Sequence, residues 1–125
     1  MRAVAVTPDV APVTLVRLVS AERDNFRRYI LLATSLLGKG LFEGNPWYLD
    51  VAGAFASDLS REFFQEADLV IGVGAGLGHY TTEGGYLYPN AKVVQVDIAP
   101  KGLWQGLRTA DLHVRADAKA AAEAI

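Results

Sequence analysis

The sequence predicts an α/β fold: a three-layer, doubly wound parallel sheet of five to six strands with helices on both faces. Three observations carry that expectation. Ile30 to Ser35, Leu69 to Val73 and Val93 to Val96 are nearly unbroken apolar runs, as expected of strands buried on both faces. The second run passes directly into glycines at alternate positions, Gly72, Gly74, Gly76 and Gly78, and the third ends on the carboxylate of Asp97. Ligands of open parallel sheets lie outside the carboxyl ends of the strands, so these two strand ends are where chemistry is expected.

The remaining elements follow in order. Ala3 to Val6 reads as a short first strand. Pro8, Asp9 and Pro12 break the pattern, and Pro12 suits the first turn of a helix running to about Asp24, with Leu15, Leu18, Val19 and Glu22 on one face. Leu36 to Ala56 is rich in glycine and aromatics and has no clear period, a length of loop that is unusual unless it is functional or ordered by a neighbour. Ser57 can cap a helix whose Leu59, Phe63 and Ala67 share a face. Thr81 to Pro89 reads as an irregular connection. Leu103 to Arg108 reads as a short helical segment, Leu112 to Arg115 as another strand, and Asp117 as the cap of a last helix. Ala118 to Ile125 ends without glycine, asparagine or proline, so the chain reads as one domain, 1–125, cut from a longer protein.

Composition narrows the function classes. With 125 residues, 51% of them hydrophobic, and a net charge of −2, the chain can build one core and has no basic excess for nucleic acid. The absence of cysteine removes disulfides, thiolate nucleophiles and Cys-rich zinc sites, and fits a cytoplasmic protein. The longest apolar stretch, Tyr29 to Leu37, falls short of the ~20 residues that span a membrane. His79 and His113 have no ligand-type neighbours at metal spacing, so no metal site is expected.

The glycine turn departs from the dinucleotide fingerprint. Counting from Gly72 reaches Leu77 where the third glycine belongs, and counting from Gly74 reaches His79. What remains is a strand-end Gly74-Ala75-Gly76 whose backbone can approach a ligand closely, as in Rossmann-like folds; glycines that merely let a tight turn pack are the alternative. Asp97, followed by Ile98, lies about 20 residues beyond the glycines, where ribose-binding carboxylates lie, and the alternative is a solvated turn aspartate. Asp117 is explained as a cap, although its strand-end place would set it and Ala118 near an adenine. Gly38-Lys39-Gly40 lacks the spacing of a P-loop, and no Gly-x-Ser-x-Gly elbow supports a hydrolase triad.

Five segments in succession carry a resemblance. They are Leu32-Ala-Thr-Ser-Leu-Leu-Gly-Lys-Gly-Leu-Phe42, Asn45-Pro-Trp-Tyr-Leu49 with Ala52-Gly53, Glu66 to Ala75, Pro89 to Ile98, and Ala116-Asp-Ala118. Together they resemble the central domain of thiamine diphosphate-dependent enzymes of the acetolactate synthase, pyruvate decarboxylase and oxalyl-CoA decarboxylase group, from about Ile30 to the end. The resemblance implies a non-catalytic scaffold between two thiamine-binding domains, within a homo-oligomeric lyase or transferase. It also implies a nucleotide cleft that holds FAD or ADP in some members and stands empty in others. Carried over by position, Gly74 and Ala75 would line that cleft, Asp97 and Ile98 would face a ribose, and Asp117 and Ala118 would lie near the adenine; Gly76 joins the candidate binding residues from the turn itself.

Two departures qualify the implied binding. Val6 is followed by Thr7-Pro8-Asp9 instead of a glycine-rich turn, which puts a carboxylate where a diphosphate would lie. The Gly-Asp-Gly…Asn-Asn segment that binds magnesium and thiamine diphosphate is missing, so the chain alone should not catalyse. A free-standing NAD-binding Rossmann-like enzyme and a ligand-free interaction module are the rival readings.

Overall fold

The computed structural model describes residues 13–19, 28–99 and 110–124. Six strands, β1 (Val13–Val19), β2 (Arg28–Thr34), β3 (Tyr48–Val51), β4 (Ala67–Val73), β5 (Lys92–Asp97) and β6 (Leu112–Arg115), run in the spatial order β3-β2-β1-β4-β5-β6. Among the described residues three helices accompany them: α1 (Asp58–Gln65), a single turn α2 (His79–Thr82) and α3 (Ala118–Ala124). The strands form two parallel blocks, β2 with β3 and β4 with β5 and β6. Between the blocks, β1 pairs antiparallel with both β2 and β4, so the sheet is mixed and departs from the all-parallel expectation.

Alternate residues of β2 and β4 feed two separate apolar clusters, as the period of two in a strand requires. Leu31, Ala33 and Val70 join Phe64 of α1 with Leu87, Tyr88 and Val93. Leu32, Ile71 and Val73 join Phe42, Tyr48 and the Ala118 and Ala122 side chains of α3. Helix α1 thus covers one face and α3 the other. Ser57 caps α1, its hydroxyl accepting the Ser60 amide at 3.2 Å, and Asp117 caps α3 by accepting the Ala120 amide at 2.9 Å.

Several expectations need correction. The predicted helix from Pro12 to about Asp24 is replaced, over Val13–Val19, by strand β1. Val13, Thr14, Val16 and Val19 are β-branched and lose side-chain freedom in a helix, and a central strand accepts an apolar run on both faces. The Leu36 to Ala56 segment is not structureless: it contains the 3-10 turns Leu36–Gly38 and Gly53–Phe55 and the short strand β3. Helix α1 buries Ser60 and Phe64, whereas Leu59 is 63% exposed. Ser60 is held inward because its hydroxyl donates to the Leu49 carbonyl at 2.7 Å. The Thr81 to Pro89 connection holds part of α2 and a 3-10 turn, Glu83–Gly85. The predicted strand Ala3 to Val6, Asp9 and the helical segment Leu103 to Arg108 lie outside the described residues.

Candidate functional site

Strand register brings the candidate loops to one edge. Val73 is level with Val96, Asp97 with Arg115, and both Thr34 and Val73 with Val13. The segments that follow β2, β4, β5 and β6 therefore leave the sheet on the same side, and Gly74 and Asp97 share that edge as predicted.

A cleft of about 430 Å³ opens there, lined by Ser35 to Leu37 after β2, Ala52 and Phe55 after β3, Gly76 after β4, and Tyr80 and Thr81 of α2. Its volume lies within the range of small-molecule sites. Leu37, Phe55 and Tyr80 are exposed at its rim, and the Phe55 and Tyr80 rings lie 6.5 Å apart with a 36° tilt. Ser35 supplies the polar note. Among the described residues, its Oγ is the buried side-chain oxygen or nitrogen that has no hydrogen-bond partner.

The predicted glycine turn divides between structural and open positions. Gly74 adopts φ +66°, and its amide donates to the Val96 carbonyl at 2.8 Å, continuing the ladder to β5. That amide is therefore engaged by the fold. Ala75 is fully buried, and its carbonyl accepts the Gln95 side-chain amide at 3.3 Å. Gly76 is the member of the turn that reaches the cleft. Leu77 follows at φ +46°, and its side chain packs so closely on Gly72 that a Cβ there would approach it to 3.0 Å.

Asp97, Ile98, Asp117 and Ala118 stand at the ends of β5 and β6, outside the lining of this cleft. Asp97 Oδ1 accepts the Ala99 amide at 3.0 Å, and the Asp97 carbonyl accepts the Ala116 amide at 3.1 Å, which joins the two strand ends. Ile98 is exposed, Asp117 caps α3, and Ala118 packs under the sheet. The structure thus brings Gly74 and Asp97 to one edge, and of the predicted residues Gly76 lines this cleft.

Sequence reasoning missed three residues that shape this edge. Gln95, 1% exposed, pins the glycine turn from beneath, and its signal was a lone amide within Val-Val-Gln-Val. Tyr48 bonds the Thr34 hydroxyl at 2.9 Å and accepts the Gly40 amide at 3.1 Å, tying the loop after β2 to β3. Arg61, an ordinary helical cation in sequence, binds the carbonyls of Ala54 and Ala56 and pairs with Glu83.

Among the described residues no cluster of three His, Asp or Glu side chains could hold a metal ion, and no helix is long and apolar enough to cross a membrane. A family model described as "Thiamine pyrophosphate enzyme, central domain" matches residues 27–125, most of the chain. The chain belongs to that family. The thiamine pyrophosphate enzyme central domain is by its description one part of a larger enzyme, so other domains accompany it in the parent, and the family implies thiamine diphosphate and magnesium there. Neither the curated proteins nor the solved structures yield a match. The family match begins one residue before β2, so β1 lies outside it.

Proposed function

We propose that this chain is a non-catalytic scaffold domain of a thiamine diphosphate-dependent lyase or transferase, with a strand-end cleft that takes the adenosine portion of ADP or FAD. The observation that carries the reading is the cleft itself, placed at the carboxyl ends of the strands and holding a buried hydroxyl, Ser35 Oγ, with no partner of its own. A buried polar atom left unpaired costs about 1–3 kcal/mol, and a ligand that hydrogen-bonds it recovers part of that cost. Asp97 lies at the neighbouring strand end, outside the cleft lining, where its carboxylate would meet a ribose that extends past Gly76. The engagement of the Gly74 amide by Val96 leaves little backbone for a diphosphate, which favours weak binding dominated by the nucleoside. In the same reading the two parallel blocks belong to one doubly wound sheet, the flanking thiamine-binding domains cover its surface, and the parent is a cytoplasmic homo-oligomer.

Titration of ADP and FAD by calorimetry or flavin fluorescence tests it. Asp97→Ala and Ser35→Ala should each lower affinity by about 1–3 kcal/mol, and Asp9→Gly should raise it most at low salt. Absence of binding at millimolar ligand would leave the scaffold role alone. The apolar rim of Leu36, Leu37, Phe55 and Tyr80 then favours the second reading, an interaction face for the neighbouring domains.

A further inference from the structure

Helix α2 is a single turn, and one turn does not hold its own shape in water. Its Thr82 hydroxyl donates to the Gly78 carbonyl at 3.0 Å and accepts the Gly85 amide at 3.1 Å, bonds that lie within the turn and the residues beside it. The following residue, Glu83, is held at φ +50°, a conformation costly for a residue with a Cβ. The Gly53–Phe55 turn is equally slight. Both segments line the cleft, and both are tied to one side chain on the eight-residue helix α1.

Arg61 makes those ties. Its Nη2 donates to the Ala54 carbonyl at 3.1 Å, its Nε donates to the Ala56 carbonyl at 3.3 Å, and its Nη1 donates to Glu83 Oε1. Ala54 and Ala56 flank Phe55, and Glu83 follows α2 directly. We infer that Arg61 is the positioning residue of the cleft: it fastens the Gly53–Phe55 turn and α2 to one rigid helix and so sets the spacing of Phe55 and Tyr80. The guanidinium suits this task because its planar fork offers donors in fixed directions, whereas a lysine ammonium could pair with Glu83 but not also reach both carbonyls. Arg61 and Glu83 are 35% and 24% exposed, so the pair's contribution is geometric more than coulombic. The inference deepens the cleft reading above and rests on it only for the ligand.

Amide hydrogen exchange on the full chain separates the two. The reporters are the Ala56 amide, bonded to the Gly53 carbonyl at 2.9 Å, and the Thr82 amide, bonded to the Gly78 carbonyl at 3.0 Å. Arg61→Ala should speed exchange at both by about tenfold, Arg61→Lys chiefly at Ala56, and Glu83→Gln chiefly at Thr82, while β4 stays protected. Unchanged exchange at both reporters in Arg61→Ala, or an equal rise in β4, overturns the inference. FAD titration supplies the second arm. A loss of affinity of about tenfold in Arg61→Ala supports the positioning role, and unchanged affinity overturns it. If the unaltered chain binds no FAD, the nucleotide reading fails and the exchange pattern alone decides the role of Arg61.

Discussion

Two glycines of the cleft loops make opposite demands on their side chains. Gly53 sits at φ +87°, and a Cβ there would come within 1.9 Å of the Tyr80 carbonyl oxygen and 2.7 Å of the Thr81 backbone. Nothing lies within 4 Å of the Cβ position at Gly76. Gly53→Ala should therefore destabilise the domain by about 2–4 kcal/mol through overpacking and backbone strain, while Gly76→Ala should stay within about 0.5 kcal/mol. Urea unfolding of both variants checks the contrast. Gln95 makes a third residue-scale case, since Gln95→Leu keeps the volume but removes the donor to the Ala75 carbonyl. It should cost about 1–3 kcal/mol in the same measurement. Of these, Gly76 was singled out in sequence as part of the strand-end turn, whereas Gln95 was passed over although a polar residue within an apolar run was its signal. The crowding at Gly53 depends on α2, nearly thirty residues away, and the role of Arg61 depends on two loops whose shapes no local pattern encodes.

The face of α1 shows how element-scale reading succeeds and then slips. Its cap, its position and its amphipathic character are legible from Ser57 and the spaced apolar residues. Two sets four residues apart compete for the inward direction, Leu59 with Phe63 and Ser60 with Phe64, and they differ by one residue, about 100° of rotation. Hydrophobicity favours the first set. The hydrogen bond from the Ser60 hydroxyl to Leu49 and the full burial of Phe64 belong to the second. Phe64→Ala should accordingly cost about 3–5 kcal/mol and Leu59→Ala less than about 0.5, as thermal or urea unfolding will register. Strand β3 escaped detection for a different reason. It is four residues long, shifts register between its two pairs with β2, and carries Asp50 at φ +64°, so no alternation survives to be read.

At the scale of the whole molecule, the doubly buried runs correctly marked β2, β4 and β5, and the parallel pairing of β4 with β5 followed from them. Strand β1 did not follow: its residues read as part of a helix from Pro12, so neither the strand nor its antiparallel direction was foreseen. The common edge of Gly74 and Asp97 was legible from strand ends, whereas the separation of Asp97 and Asp117 from the cleft lining was not. Since β1 lies between β2 and β4, deleting residues 1–19 should leave two unpaired strand edges. Loss of the cooperative circular-dichroism melt, together with aggregation in size-exclusion chromatography, is the expected result. The place of β1 also has a consequence in time. Its partner β2 follows across residues 20–27, so that pairing is cheap in loop entropy and can form within microseconds, whereas β4 lies some forty residues further along. On a ribosome adding ~5–20 residues per second, β1 and β2 wait about 2 to 8 s before Val73 is synthesised. Throughout that wait the second edge of β1 has no partner from its own chain, and the nascent domain is then most exposed to pairing with another.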